Sequence, residues 1–182
     1  MQKDARSRKI VLVAHCILNQ NSKVLGLAQH LNMIVELVEL LKAKGFGIIQ
    51  MPCPEFTFAG LLRWSQTREQ YDTFMFRRHC RRIAVQLVDQ IGEYIRNGIR
   101  VSAIIGIEGS PSCGVNRVYI GYAGGEVEKI KLVRKKPVRK PGVFIKELAS
   151  ELEKRRFSIP FYGVDEKQIR QSVEEIGLLL ED

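Results

Sequence analysis

Tryptophan occurs once, histidine three times and cysteine four times in 182 residues. No apolar run approaches the roughly 18–20 residues that span a bilayer, so no transmembrane helix is expected. The first ten residues, MQKDARSRKI, carry charge but no apolar core ahead of a cleavage site. No secretory signal is therefore expected, and the cytoplasm is the expected location. There is no internal repeat and no linker-like stretch, which predicts a single domain over residues 1–182. Aromatic residues are thinly interleaved with the basic ones, which leaves little for a base-stacking platform. A Gly-x-Ser-x-Gly elbow is missing, and the nearest stretch, GSPSCG at 109–114, has the wrong spacing for one. That speaks against a serine hydrolase. Four cysteines in a chain of this size are a poor disulfide framework and point instead toward metal or redox chemistry.

The chain is 45% hydrophobic and 27% charged, the balance of a globular protein with a real core. Its net charge is +9, with a pI near 9.6. Such an excess favours anionic partners: nucleotides, RNA or another polyanion, or an acidic surface. The plainer alternative is a solvated, soluble surface.

Apolar periodicity gives the fold class. KIVLVAHC and RVSAIIGI are continuous apolar runs, as expected of strands buried on both faces of a parallel sheet, and FGIIQMPC is a shorter one. Between them, helical spacing runs from about Leu27 to Lys44 (Leu31, Ile34, Val35, Val38, Leu41). It recurs from about Arg68 to Arg96 (Cys80, Ala84, Leu87, Val88, Ile91, Ile95). The resulting β-α-β-α-β order predicts an α/β protein, a Rossmann-like three-layer α/β/α sandwich with a mainly parallel sheet. Beyond it, RVYIGYAGGEVEKIKLV reads as an excursion or hairpin around Gly124 and Gly125, and RKKPVRKP (134–141) as a mobile or ligand-covering loop. A helix over 142–155, a short strand within SIPFYGV and a last helix from Asp165 to Leu180 complete the pattern. Asp165 is the expected N-cap, with Glu166 at that helix's positive end.

The cysteines fall at telling places. Cys16 ends the first strand, Cys53 the second, and Cys113 lies in the loop after the third. In a parallel sheet all three reach the carboxyl edge, where open α/β sheets bind ligands. One buried cysteine is usually a small hydrophobe, but three at equivalent strand ends point to a shared site. Cys80, on the apolar stripe of the long helix, is read as core. Three thiolates without an obvious fourth ligand resemble an open coordination site, suited to zinc, Cu(I) or an iron–sulfur cluster. Zinc would require His15 as a partner, yet His15 adjoins Cys16 and is better read as a packed histidine. His30 and His79 read as surface residues. Glu55, two residues after Cys53, is a candidate general acid/base, or else an exposed loop carboxylate. Ser110 and Ser112 could cap the turn, donate to sulfur or position a substrate carbonyl.

Taken in order, VAHCILN, PCPEF with AGL, and SPSCG resemble the three signatures of the thiouracil desulfurase family. VYIGYAGG, PGVFIKELASEL and IPFYGVDE have weaker counterparts, so the likeness spans nearly the whole chain. The resemblance implies a 4Fe–4S cluster held by Cys16, Cys53 and Cys113, with one iron open to the sulfur of a thiolated pyrimidine base or nucleotide. It also implies a non-redox desulfuration in which water replaces the sulfur and sulfide leaves, with Glu55 and Ser110 assisting proton transfer and substrate orientation. The chain departs from the family in two loops. CILNQNSKVLG has Asn19 for a glycine and Lys23 near an arginine, and AGLLRW keeps Gly60, Leu61 and Arg63 but lacks the prolines. Those loops are where substrate choice is expected to differ. Two other readings of the same residues stay open: a metal-binding nucleic-acid-binding module, and a zinc-thiolate hydrolase.

Overall fold

The structure, a computed structural model, describes residues 4–122, 124–125 and 135–180. The first half forms β1 (Lys9–Ala14), α1 (His15–Leu18), a 3₁₀ turn (Gln20–Ser22), α2 (Val35–Ala43), β2 (Gly47–Met51), α3 (Pro54–Ala59), α4 (Arg68–Tyr71) and α5 (Phe74–Arg96). The second half forms β3 (Arg100–Ile107), β4 (Val118–Ile120), β5 (Lys136–Val138), α6 (Val143–Lys154), β6 (Phe161–Val164), a 3₁₀ turn (Glu166–Gln168) and α7 (Ile169–Leu179).

Four strands make a parallel sheet of order β2-β1-β3-β6. Val11 to Ala14 and Ala103 to Ile105 are almost wholly enclosed, because helices cover both faces of the central strands. That is why these runs are apolar without alternation. Each large side chain so buried contributes roughly 1.5–3 kcal/mol. Helix α5 packs against α6, and α2 against α7, which completes the expected α/β/α sandwich. Among the described residues no helix is long and apolar enough to cross a membrane.

The strand order reverses direction at β1: β2 lies on one side of it and β3 on the other. A crevice opens at the carboxyl ends of such a pair. All four strands deliver a chemically active residue there. Cys16, Cys53 and Glu166 each stand two residues beyond the end of a strand, and the Cys113 loop follows the fourth.

Four expectations need correction, the last helix among them: it begins at Ile169, and Asp165 caps the 3₁₀ turn that precedes it. The helix expected from Leu27 begins only at Val35; Leu31 is 94% exposed, and residues 23–34 form a loop whose backbone returns to α1 and the 3₁₀ turn after it through Gln20 N–H to Asn32 O and Ile34 N–H to Ile17 O. The helix expected over 68–96 is broken at Asp72–Thr73. There Thr73 caps α5 by accepting the Phe76 N–H, and Asp72 pairs with both Arg68 and Arg77. Residues 136–138, expected in a loop, form β5 and pair antiparallel with β4. Most of the tip of that excursion, and Arg134, lie outside the described residues.

Candidate functional site

The loop after β3 is set by close backbone packing. Gly142 and Val143 donate to the Gly114 and Pro111 carbonyls at 2.8 and 3.0 Å, and Phe144 donates to the Ser112 carbonyl at 3.0 Å. The orphan N–H groups that begin α6 are thus satisfied by the cysteine loop itself rather than by a capping side chain. Two glycines are required by this approach: a Cβ on Gly106 would lie 2.2 Å from the Cys113 carbonyl oxygen, and one on Gly142 2.3 Å from that of Ser112.

Cys53 is the N-cap of α3, its sulfur accepting the Phe56 N–H at 3.4 Å, with Pro54 and Glu55 opening the helix. Proline tolerates that first turn and a carboxylate favours it. Cys16 lies in α1, its carbonyl accepting from Gln20 Nε2 at 2.8 Å.

Cys16, Cys53, Cys113, Glu55, Ser110 and Ser112 line one cavity of about 360 Å³, a volume suited to a small heterocycle. Glu55 is buried, not the exposed loop carboxylate that was one reading of it. Its Oε1 accepts from Ser112 Oγ at 2.5 Å and from Ser110 Oγ at 3.4 Å, and its Oε2 lies 3.4 Å from Arg63 Nε. Arg63 also donates to the Gly60 and Ser22 carbonyls at 3.0 and 2.7 Å, which fixes its guanidinium. Ser110 Oγ in turn accepts the Cys113 N–H at 3.0 Å. The Tyr71 hydroxyl is enclosed nearby, its pKa pushed up by burial and then by Glu55. The structure therefore brings every predicted site residue to one place. It also makes Ser112, first considered alongside Ser110, the nearer partner of Glu55.

The thiols are electrically coupled. Burial pushes Cys16 up to about 12, with Cys53 adding to the effect and Lys23 opposing it. Burial raises Cys53 and Cys113 as well, helped by Glu55 at the first and by Cys53 at the second. Such thiols stay protonated until a bound cation stabilises their thiolates. Among the described residues no three Cys, His, Asp or Glu side chains converge as ligands of one ion. Three cysteine sulfurs lining one cavity are nonetheless the donor type that an iron–sulfur cluster takes.

The remaining titratable side chains sort themselves. His15 stacks on Phe56 with ring centroids 6.4 Å apart, as a packed histidine would. His79, expected at the surface, is half-buried with Nε2 2.8 Å from Thr57 Oγ1. His30, also expected at the surface, has Nε2 enclosed 4.0 Å from Glu166, because the loop after α1 folds inward there. Cys80 is fully buried in α5, as expected of a core residue.

Sequence reasoning gave no role to another ion pair lining the cavity, Lys23 Nζ to Glu166 Oε2 at 2.6 Å. Its members are 143 positions apart and share no local pattern.

No family model matches the chain. Among solved structures the fold is similar to that of a 4Fe–4S-dependent thiouracil desulfidase, TudS. The TM-score is 0.51 and the identity 22%, over 93% of this chain and 99% of the other; at that identity the likeness is one of fold. A closer sequence likeness is to the uncharacterized protein MJ0003 of Methanocaldococcus jannaschii, 36% identical over 133 residues, 71% of this chain and 85% of the relative. By that likeness the chain belongs to the family of this archaeal protein.

Proposed function

We propose that the protein is an iron–sulfur-dependent desulfidase acting on a thiolated pyrimidine base or nucleotide. The overall change is C=S + H₂O → C=O + H₂S: a C–O bond forms, a C–S bond breaks, both water protons end on sulfur, and nothing is oxidised. The observation that carries the reading is the convergence of Cys16, Cys53 and Cys113 with the Glu55–Ser110–Ser112 group in one cavity. The likeness of fold to a desulfidase supports it.

Cys16, Cys53 and Cys113 would hold the cluster, here 4Fe–4S. Held by three thiolates, such a cluster supplies an open iron, a soft Lewis acid for the substrate sulfur. Glu55 takes a proton from the attacking water and returns it to the departing sulfur. Arg63 fixes Oε2 of that carboxylate, which leaves Oε1 to the serine hydroxyls. Ser110 and Ser112 orient the ring through those hydroxyls, and their link to Cys113 ties ring position to the metal mount. Arg117 and Lys135 also line the cavity, but Arg117 is paired with Asp165 at 2.7 Å and Lys135 donates to Ser65 at 3.0 Å, so the lining admits a free base as readily as a nucleotide. A nucleic-acid-binding module is less well supported. Arg77, Arg81 and Arg155 of the basic runs are engaged by Asp72, Glu147 and Asp89, so less bare charge faces solvent than the sequence implies.

Anaerobic purification tests the proposal. A brown protein with iron and acid-labile sulfide, releasing sulfide from 2-thiouracil or a 4-thiouridine compound, is the expected result. Colourless protein carrying stoichiometric zinc and inert toward all such compounds would overturn it.

A further inference from the structure

We propose that Lys23, held in place by Glu166, is the specificity-determining residue that reads the substrate's unreacting carbonyl oxygen, so that the site prefers a thiolated ring bearing a second oxo group. The inference rests on the desulfidase reading for its substrate, but its test separates the two.

Lys23 and Glu166 both line the cavity, with side chains only 14% and 8% exposed. Both oxygens of Glu166 are engaged: Oε2 accepts from Lys23 Nζ at 2.6 Å, and Oε1 from Gln20 Nε2 at 3.2 Å. Gln20 Nε2 also donates to the Cys16 carbonyl at 2.8 Å, so the carboxylate is tied to the backbone of the first cysteine. Ser22, the residue before Lys23, accepts from Arg63 Nη2 at 2.7 Å. Lys23 is thereby fixed relative to both Cys16 and the Arg63–Glu55 pair.

An ammonium carries three N–H donors. One goes to Glu166, and the other two have no protein acceptor among the described residues. Burying an ion pair costs desolvation that the pair alone seldom repays. Donors left over on a cavity wall are therefore available to the cavity's occupant. A thio-oxo pyrimidine offers a matching set: ring N–H donors for a carboxylate and its hydroxyls, and a carbonyl acceptor for an ammonium. Glu55 with Ser110 and Ser112 supplies the first, Lys23 the second. The carbonyl that stays on the ring does not react, so its hydrogen bond is equally strong before and during the chemical step. An interaction of that kind sets KM and leaves kcat alone.

The test uses cluster-loaded protein and unreactive oxygen analogues, followed through the fluorescence of Trp64, the chain's one tryptophan, which adjoins cavity-lining Arg63 and Ser65. Lys23→Met is expected to weaken uracil binding about tenfold, the scale of a lost charge-assisted hydrogen bond, and to leave binding of pyrimidin-2-one unchanged. KM for 2-thiouracil should rise by about the same factor with kcat within about twofold, and the preference for 2-thiouracil over pyrimidine-2-thione should collapse. Lys23→Arg should restore part of that preference. Glu166→Gln, which leaves the Lys23 side chain in place, should weaken uracil binding about threefold and serves if Lys23→Met does not fold. Uracil binding by Lys23→Met equal to wild type, equal weakening toward both analogues, a fall in kcat alone, or no uracil binding by the wild type would each overturn the inference. A wild type that binds uracil through Lys23 but releases no sulfide leaves this inference standing and removes the desulfidase reading.

Discussion

The same three side-chain types, cysteine, glutamate and arginine, stand together at two places in this protein. At the carboxyl edge of the sheet stand Cys53 and Cys113 with Glu55 and Arg63; between α5 and α6 stand Cys80 with Glu147 and Arg81. Glu147 pairs with Arg81 at 2.9 Å, and burial raises the Cys80 thiol just as it raises the others. The two places differ in what they face. Arg63 is sealed in, its side chain 4% exposed, and holds Glu55 toward hydroxyls and a cavity. Arg81 is 53% exposed and fastens one helix to another over a closed core. An inventory of reactive groups is thus no site until the backbone leaves a space for them to share.

Exchanging equivalent residues between the two places should break that symmetry most strongly at the thiols. Cys16→Ala, Cys53→Ala or Cys113→Ala should each abolish stable iron and acid-labile sulfide in anaerobically purified protein, and Cys80→Ala should retain both. Loss of iron in the Cys80 variant with a folded circular dichroism spectrum would erase the distinction.

The carboxylates come next. On the proposed mechanism Glu55→Gln keeps the cluster and lowers kcat by roughly 10²–10⁴-fold, the range for a lost general acid/base. Glu147→Gln should leave sulfide release unchanged and lower only the melting temperature, since it weakens a pair that is half open to solvent. Full activity in Glu55→Gln would remove its proton-handling role whatever the metal content.

The glycines give the finest comparison. Gly142→Ala sets a Cβ 2.3 Å from the Ser112 backbone, so the cysteine loop must shift and the protein should lose stability and iron together. Gly92, within α5, has its nearest neighbour, the edge of Phe157, at 3.4 Å. Gly92→Ala should be neutral or stabilise by up to about 1 kcal/mol through helix propensity, a small rise in melting temperature with activity intact. A lower melting temperature in that variant would mean that Phe157 cannot give way.

The first three sheet strands and the cysteine convergence were legible because they rest on local patterns: apolar runs of strand length, each followed within two to six residues by a cysteine. The helix boundaries were less so. Leu27 and Leu31 continue the spacing of α2, yet the loop that carries them is drawn off toward Glu166, a contact no local pattern announces. The break at Asp72–Thr73 interrupts a stretch whose apolar stripe gives no sign of it; only the threonine cap marked the place. Arg63, an isolated charge in AGLLRW, was a usable signal for the Glu55 partner. Lys23 and Glu166 were not, because a pair so far apart in sequence is assembled by the sheet order alone.

The capping of α6 by the cysteine loop fixes an order of assembly. Cys113 is synthesised well before Gly142, Val143 and Phe144, yet its loop is held in place by their N–H groups. A chain that stops short of α6 lacks the donors that hold the Cys113 loop. On the proposed function, cluster insertion would have to follow the docking of α6, so that loading would double as a check that the chain is complete through that helix.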